Sequence, residues 1–224
     1  MWFPLDVILV CIRWYAAYPL SYRHLEEMMQ ERGAIVDHSS INRWAIRFLP
    51  LLEKIFRKHK RQVGGSWRMD EAYIKIKGVW KYLYRAVDKE GKTIDRLLTA
   101  KRDKAAAMRF FEKAMQDNGI PEKVTMDKSG ANKAAIDQLS EDQKPSIPVR
   151  QVKYLNNIVE QDYRAVKQIT KPMLGFKSFK AAKNILAGIE LMHMIRKDQM
   201  MMAGCDRMSF ADQFYALAGQ MRTA

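Results

Sequence analysis

Cysteine is nearly missing from this chain. Among 224 residues there are two, Cys11 and Cys205, far apart and in no pair motif. That excludes a disulfide scaffold and a cysteine-ligated zinc site. The four histidines, His24, His38, His59 and His193, have no ligand spacing either, so core or surface roles are expected for them. Long apolar runs are also missing. Near the start, residues 7–12 form the longest clean one, bounded by Asp6 and Arg13. It is too short to span a bilayer and no basic stretch precedes it, so no membrane association and a cytoplasmic location are expected. Acid is in short supply: 25 Asp and Glu face 39 Lys and Arg, a formal charge of +14. So basic a surface steers toward a polyanion. With 48% of residues hydrophobic, the chain can still bury a core, which excludes a disordered polycation.

Because glycine is sparse, the pair Gly64-Gly65 stands out. It follows the basic run Arg57-Lys58-His59-Lys60-Arg61 and predicts a domain boundary. Before it the pattern is helical. A helix is expected over about 5–16, a second after the N-cap Ser21, and a third after Asp37. In the third, Ile41, Trp44, Ala45 and Phe48 make one buried stripe, and Ser39, Asn42, Arg43 and Arg47 lie opposite. After the boundary the period changes to two. Strands are expected at 67–77, 79–87 and 93–100, with Lys77-Gly78 as a hairpin turn. A helix near 103–117, a strand at 123–126, a helix near 131–139, a strand at 150–154 and a helix over about 156–169 follow. An amphipathic helix begins after Ser178. Trp80, Tyr82 and Tyr84 alternate along a strand and are expected to serve the sheet rather than to stack on bases. The methionines from 192 to 208 are expected to fill core or make an interaction surface.

The order β-β-β-α-β-α-β-α predicts an α/β domain whose first three strands form a meander and whose first strand pairs parallel with the fourth. Ribonuclease-H-like nucleases use that order, with a mixed five-stranded sheet and helices. Three acids then fall at positions where they would meet. Asp70 is inside the first strand, Asp127 ends the fourth, and Glu160 is on the helix after the fifth. An acid in a half-buried strand is costly unless it is paired or holds a cation. Three clustered carboxylates repel, and a divalent ion relieves that conflict. Hard oxygen donors select Mg²⁺ or Mn²⁺, and two such ions about 3.5–4 Å apart can activate an attacking oxygen and stabilise a leaving one at phosphorus. Arg164 and Lys167 follow Glu160 at i+4 and i+7, so one helix edge would offer an acid and two cations to a phosphate backbone. Any one of these residues alone would be read as an ordinary ion-pair partner or a solvated charge.

Across nearly its whole length the sequence resembles the small DDE transposases of bacterial insertion sequences, the IS-six family. The carriers are Ile12-Arg-Trp-Tyr15 with Ser21-Tyr-Arg23, Val36-Asp-His-Ser39 through Arg43-Trp44, Met69-Asp-Glu-Ala-Tyr73, Tyr82-Leu-Tyr-Arg-Ala-Val-Asp88, Thr125-Met-Asp-Lys128, Arg150-Gln-Val-Lys-Tyr-Leu-Asn-Asn157 and Gly175-Phe-Lys-Ser178. The resemblance implies that Asp70, Asp127 and Glu160 are the catalytic metal-binding triad. It also implies a ribonuclease-H-like catalytic domain behind a helix-turn-helix that binds the element's terminal repeats, and replicative joining of donor to target DNA. Lys167 is similar to a position linked to element-end binding. The stretch from Asp127 to Glu160 is slightly shorter than in most relatives. The shortfall falls in the loop-like region 140–148, where deletion is tolerated.

The expected organisation is therefore a helix-turn-helix domain at 1–62, a catalytic domain at 63–200 and a helical tail at 201–224. Ser39, Asn42, Arg43 and Arg47 would read the DNA major groove. Lys58, Lys60 and Arg61, with Lys128, Lys153, Arg164 and Lys167, would hold the backbone and fix register. The partners would be double-stranded DNA, both terminal repeats and target, and further copies of the chain in a homodimer or larger assembly. A nuclease without strand transfer and an inactive DNA-binding relic are the alternatives.

Overall fold

The computed structural model describes residues 3–142, 146–152 and 157–222. Contacts between residues divide the chain into two compact units, one of residues 1–61 with 166–224 and one of residues 62–165.

The first unit is helical: α1 (Leu5–Ala17), α2 (Tyr22–Gln30), α3 (His38–Arg57), α7 (Phe179–Arg196) and α8 (Phe210–Gly219). The local causes are visible at the helix starts. Ser21 caps α2 through a box with His24: the His24 amide donates to the Ser21 hydroxyl at 3.1 Å, and the Ser21 amide donates to His24 Nδ1 at 3.3 Å. Asp37 accepts the Ser39 and Ser40 amides at the start of α3. His38 Nδ1 lies 3.0 Å from Glu26, which ties the two helices together. Between them Gly33 turns the chain with φ +75°, a conformation that a Cβ disfavours. The stripe Ile41, Ala45, Leu49, Leu52 and Phe56 is fully buried. α7 packs on α1 and α3. Its apolar residues run almost all the way round, including Ile185, Leu186, Ile189 and Leu191, so it needs cover on several sides. At Gly188 the approach is close enough that an added Cβ would lie 2.5–2.7 Å from Leu49 carbons.

The second unit carries a five-stranded sheet in the order β3-β2-β1-β4-β5. Its strands are β1 (Ser66–Ile76), β2 (Val79–Asp88), β3 (Thr93–Thr99), β4 (Lys123–Met126) and β5 (Val149–Gln151). The first three form an antiparallel meander, and β1, β4 and β5 run parallel. This is the ribonuclease-H-like arrangement. Lys77 (φ 49°) and Gly78 (φ +79°) make the two-residue turn between β1 and β2, with both residues in the positive-φ geometry that suits strand twist. Helices α4 (Lys104–Asn118) and α5 (Gly130–Asp142) cover one face, where Trp67, Met69, Tyr84 and Ala86 meet Phe110, Phe111 and Ile136. On the opposite face Arg85, Asp162 and Tyr163 lie buried, the latter two on α6 (Asn157–Thr170). The expected strand at 150–154 is observed as Val149–Gln151, and its residues 153–154 lie outside those described.

Candidate active site

The parallel pairing of β1 with β4 brings two remote acids to one place. Its register runs Ser66↔Lys123, Trp67↔Val124, Arg68↔Thr125. Two steps on along each chain lie Asp70 and Asp127, Asp127 being the first residue past β4. Asp70, Glu71 and Asp127 each offer a carboxylate oxygen within 4.8 Å of the other two. Burial pushes Asp70 up to about 6; the Glu71 amide opposes this, while the charges of Glu71, Asp127 and Glu160 add to it. One oxygen of Asp127, Oδ1, is buried with no hydrogen-bond partner, and the other lies 3.7 Å from Arg102. A buried carboxylate oxygen without a donor, facing two further acids, fits a divalent cation well: the donors are all hard oxygens, and the ion would relieve both the desolvation and the repulsion.

Glu71 is the residue that the sequence reading missed. Neighbours along a strand point to opposite faces, so an Asp-Glu pair reads as one site acid and one bystander. Here β4 ends beside Met69–Asp70, and past that edge the two faces are no longer kept apart. The Glu71 side chain is only 4% exposed. It accepts from the buried Asn132 amide at 2.8 Å and from Arg102 Nε and Nη2 at 3.2 and 3.3 Å. Arg102 thus joins Glu71 to Asp127. The signal available was a second acid inside a strand whose neighbours are core residues.

Glu160 stands on the first turn of α6, exposed. It is not one of the acids whose oxygens all lie within 4.8 Å of one another, yet its charge contributes to raising Asp70. What ties its helix to the sheet is close by. Asp162 pairs with the fully buried Arg85 at 3.0 Å, and Arg85 also reaches Thr93 at 3.1 Å. The Tyr163 hydroxyl shares its proton between the Asp70 carbonyl at 2.7 Å and the Leu83 carbonyl at 2.6 Å. Two residues beyond Glu160 the helix is therefore fastened to Arg85, and three residues beyond it to the backbone of Asp70 itself.

The expected DNA-contacting residues fall in several places. On α3, Arg43 and Arg47 are exposed and Ser39 and Asn42 half-buried. Ser39 donates to the Asp37 carboxylate, Arg43 donates to Ser40 at 2.8 Å, and the Arg47 guanidinium lies over the Phe48 ring. Lys58, Lys128, Arg164 and Lys167 are exposed. Lys60 sits in an isolated bridge with Met200. Arg61 donates to Asp206 at 2.5 Å and to the Met200 carbonyl at 3.2 Å, so a phosphate would have to displace these partners. Lys153 lies outside the described residues. Among those described, no helix is long and apolar enough to cross a membrane.

A ribonuclease-H-like sheet that gathers carboxylates at the shared edge of β1 and β4 defines a class, the polynucleotidyl-transfer and nuclease enzymes of the DDE type. A family model described as a DDE domain, of the IS240 transposase group, matches residues 64–199. The chain is 40% identical over 194 residues to the transposase for the insertion-sequence-like element IS431mec of Staphylococcus aureus, an alignment covering 86% of this chain and 85% of that one. The same figures hold for the transposase of the element IS257 in transposon Tn4003, also from Staphylococcus aureus. The chain belongs to the DDE transposases of the IS-six insertion-sequence family. Among solved structures, the HTLV-2 integrase catalytic core aligns with a TM-score of 0.47 and 15% identity over 59% of this chain and 88% of that one. The BIV integrase catalytic core aligns with a TM-score of 0.43 and 12% identity over 72% and 99%. The fold class rests on strand order and pairing direction, not on these partial overlaps.

Proposed function

We propose that this chain cuts DNA at the ends of its insertion sequence and joins those ends to target DNA, with Asp70, Asp127 and Glu160 as the catalytic carboxylates and Glu71 beside them. The observation that carries the reading is the meeting of Asp70 and Asp127 around an unpartnered carboxylate oxygen. Two bound Mg²⁺ or Mn²⁺ ions would supply a deprotonated attacking oxygen, first of water and then of the freed 3′-hydroxyl, and would stabilise the leaving oxygen. The protein's own part is to hold that set of acids in place. Arg102 and Asn132 fix Glu71, and Tyr163 fixes α6 to Asp70. The α3 face with Ser39, Asn42, Arg43 and Arg47 would enter the major groove of the terminal repeats. The lysines and arginines at 58, 60, 61, 128, 153, 164 and 167 would neutralise phosphates, which predicts steep loss of affinity with salt. Both element ends must be held together, so a homodimer or larger assembly is part of the reading.

The test is a pre-cleaved end fragment incubated with a target plasmid and Mg²⁺. Joined products from the wild type, lost by at least about a hundredfold in Asp70→Asn and Glu160→Gln, are expected. Persistent free ends would instead mark a nuclease without strand transfer. Equal behaviour of all three proteins would overturn the catalytic assignment.

A further inference from the structure

The β1–β2 hairpin outruns its sheet. Strand β4 pairs only with residues 66–68 of β1, and β3 stops at Thr99, opposite Tyr82. Residues 74–81 are therefore a two-stranded ribbon beyond the last β3 partner. Such a ribbon is marginal alone and needs one covered face. It has one: Ile74 and Ile76 are 5% and 4% exposed. The other face is different. Tyr73, Lys75, Trp80 and Tyr82 share it, as the pairs Tyr73↔Tyr82 and Lys75↔Trp80 require. Tyr73 is 51% and Trp80 57% exposed. Their rings meet edge-to-face at 6.4 Å, Tyr73 and Tyr82 pack at 5.4 Å, and Lys75 Nζ lies 5.7 Å from the Trp80 ring. Glu71 of the acid cluster precedes Tyr73 on that same face, two residues or roughly 7 Å along the strand.

We infer that this aromatic face is a stacking platform for unpaired bases of the DNA strand leaving the catalytic carboxylates. The inference rests on the DNA-processing reading above and names a contact within it. Stability does not call for these rings, since the ribbon's buried isoleucines already lie on the opposite face. Their setting is cationic, with Lys75 over Trp80 and Lys77 at the turn. Two copies meeting through this face would bring like charges together, whereas a nucleic-acid strand supplies both phosphates for the lysines and π-faces for the rings. Where strands part near the scissile phosphate, the freed bases would emerge beside Glu71, two residues along the strand from Tyr73.

The experiment compares binding of the full chain to a blunt terminal-repeat duplex and to the same duplex carrying a short single-stranded overhang. The expected wild-type preference for the overhang is roughly tenfold per stacked base, lost when the overhang sugars are abasic. Trp80→Ala and Tyr73→Ala should remove the preference and leave blunt-duplex affinity alone, and Trp80→Phe should restore part of it. Trp80 is more than half exposed, so an unchanged melting temperature checks the fold. Wild type and Trp80→Ala with the same overhang preference would overturn the proposal, as would a fall in sedimenting mass on Trp80→Ala, which would mark a self-association face. Failure of the wild type to bind even the blunt duplex would overturn the DNA-processing reading instead, which keeps the two distinguishable.

Discussion

The two units are built on different economies of burial. Around α3 the helical unit buries mainly hydrocarbon: Ile12, Leu25, Ile41, Leu49, Leu52, Phe56 and Phe214 are fully inside. The sheet unit buries charge as well as apolar area. Arg85 is wholly enclosed with Asp162, Asp95 is paired with Lys113, and Glu71 sits with Asn132 and Arg102. Hydrocarbon packing is tolerant of pH and salt, while buried ionised groups cost desolvation that only good geometry offsets. The sheet unit carries that cost because its chemistry needs carboxylates held away from water. Its stability should therefore depend on partners and pH more than that of the helical unit, where Glu190 on α7 is the one acid buried among the described residues.

The largest expected effect breaks this contrast at Arg85. Arg85→Ala strands the Asp162 carboxylate, and removing one member of a buried pair costs about 3–5 kcal/mol. Urea unfolding should show that loss. The double variant Arg85→Met with Asp162→Leu should recover most of it, because no charge is then left alone. A double variant as unstable as the single one would mean that the pair does more than compensate itself.

Next comes pH. Asp70 is raised to about 6 in the folded chain against about 3.9 in the unfolded one, so the folded state binds the extra proton between those values. Its stabilising contribution is full below about pH 4 and disappears as pH rises through 6. Metal-free wild type should then lose roughly 1–3 kcal/mol relative to Asp70→Asn between pH 4 and 7.5, read from urea midpoints in chelator. Mn²⁺ at pH 7.5 should restore wild type and not the variant. The same difference at both pH values would show that Asp70 is solvated.

Tyr163→Phe is a smaller change with a more local reading. One hydroxyl proton serves the carbonyls of Asp70 and Leu83, so its loss should cost about 1–2 kcal/mol in stability. Because the same hydroxyl fastens α6 beside Glu160, end-joining rate should fall further than the stability loss predicts, with end binding unchanged. A variant that joins ends at the wild-type rate would leave Tyr163 as a packing residue only.

Much of this was written in local pattern. Alternation and turn chemistry place β1, β2 and β3, and the caps Ser21, Asp37, Asp103 and Ser178 each accept an amide at a helix start. Asp70 and Asp127 are readable because strand order decides which chain ends meet. What pattern does not hold is where cover stops. Tyr84 and Trp80 occupy the same face with the same alternation, yet Tyr84 is buried on Phe110 and Trp80 is exposed, since α4 ends its cover between them. Glu71 escapes for a related reason: face alternation separates two neighbours only while a strand lies alongside. Arg61 reads as one more cation of a basic run, and its partner Asp206 is too distant in sequence to be seen.

Gly188→Ala sharpens the comparison from the helical side, with the smallest expected effect. Alanine favours helix over glycine by about 1 kcal/mol, which would stabilise α7. Its methyl, however, would lie 2.5–2.7 Å from three side-chain carbons of Leu49, itself fully buried. Overpacking of this kind costs about 1–3 kcal/mol, so a net loss of roughly 1 kcal/mol is expected. Both contributions are hydrocarbon packing and backbone preference, so the loss should be the same at pH 5 and 7.5 and at low and high salt. Pairing it with Leu49→Val, which withdraws a carbon from the contact, should reduce the loss. A pH-dependent loss would mean that packing at Leu49 is coupled to the buried Glu190 two residues along α7, and the distinction drawn between the two units would fail at its simplest point.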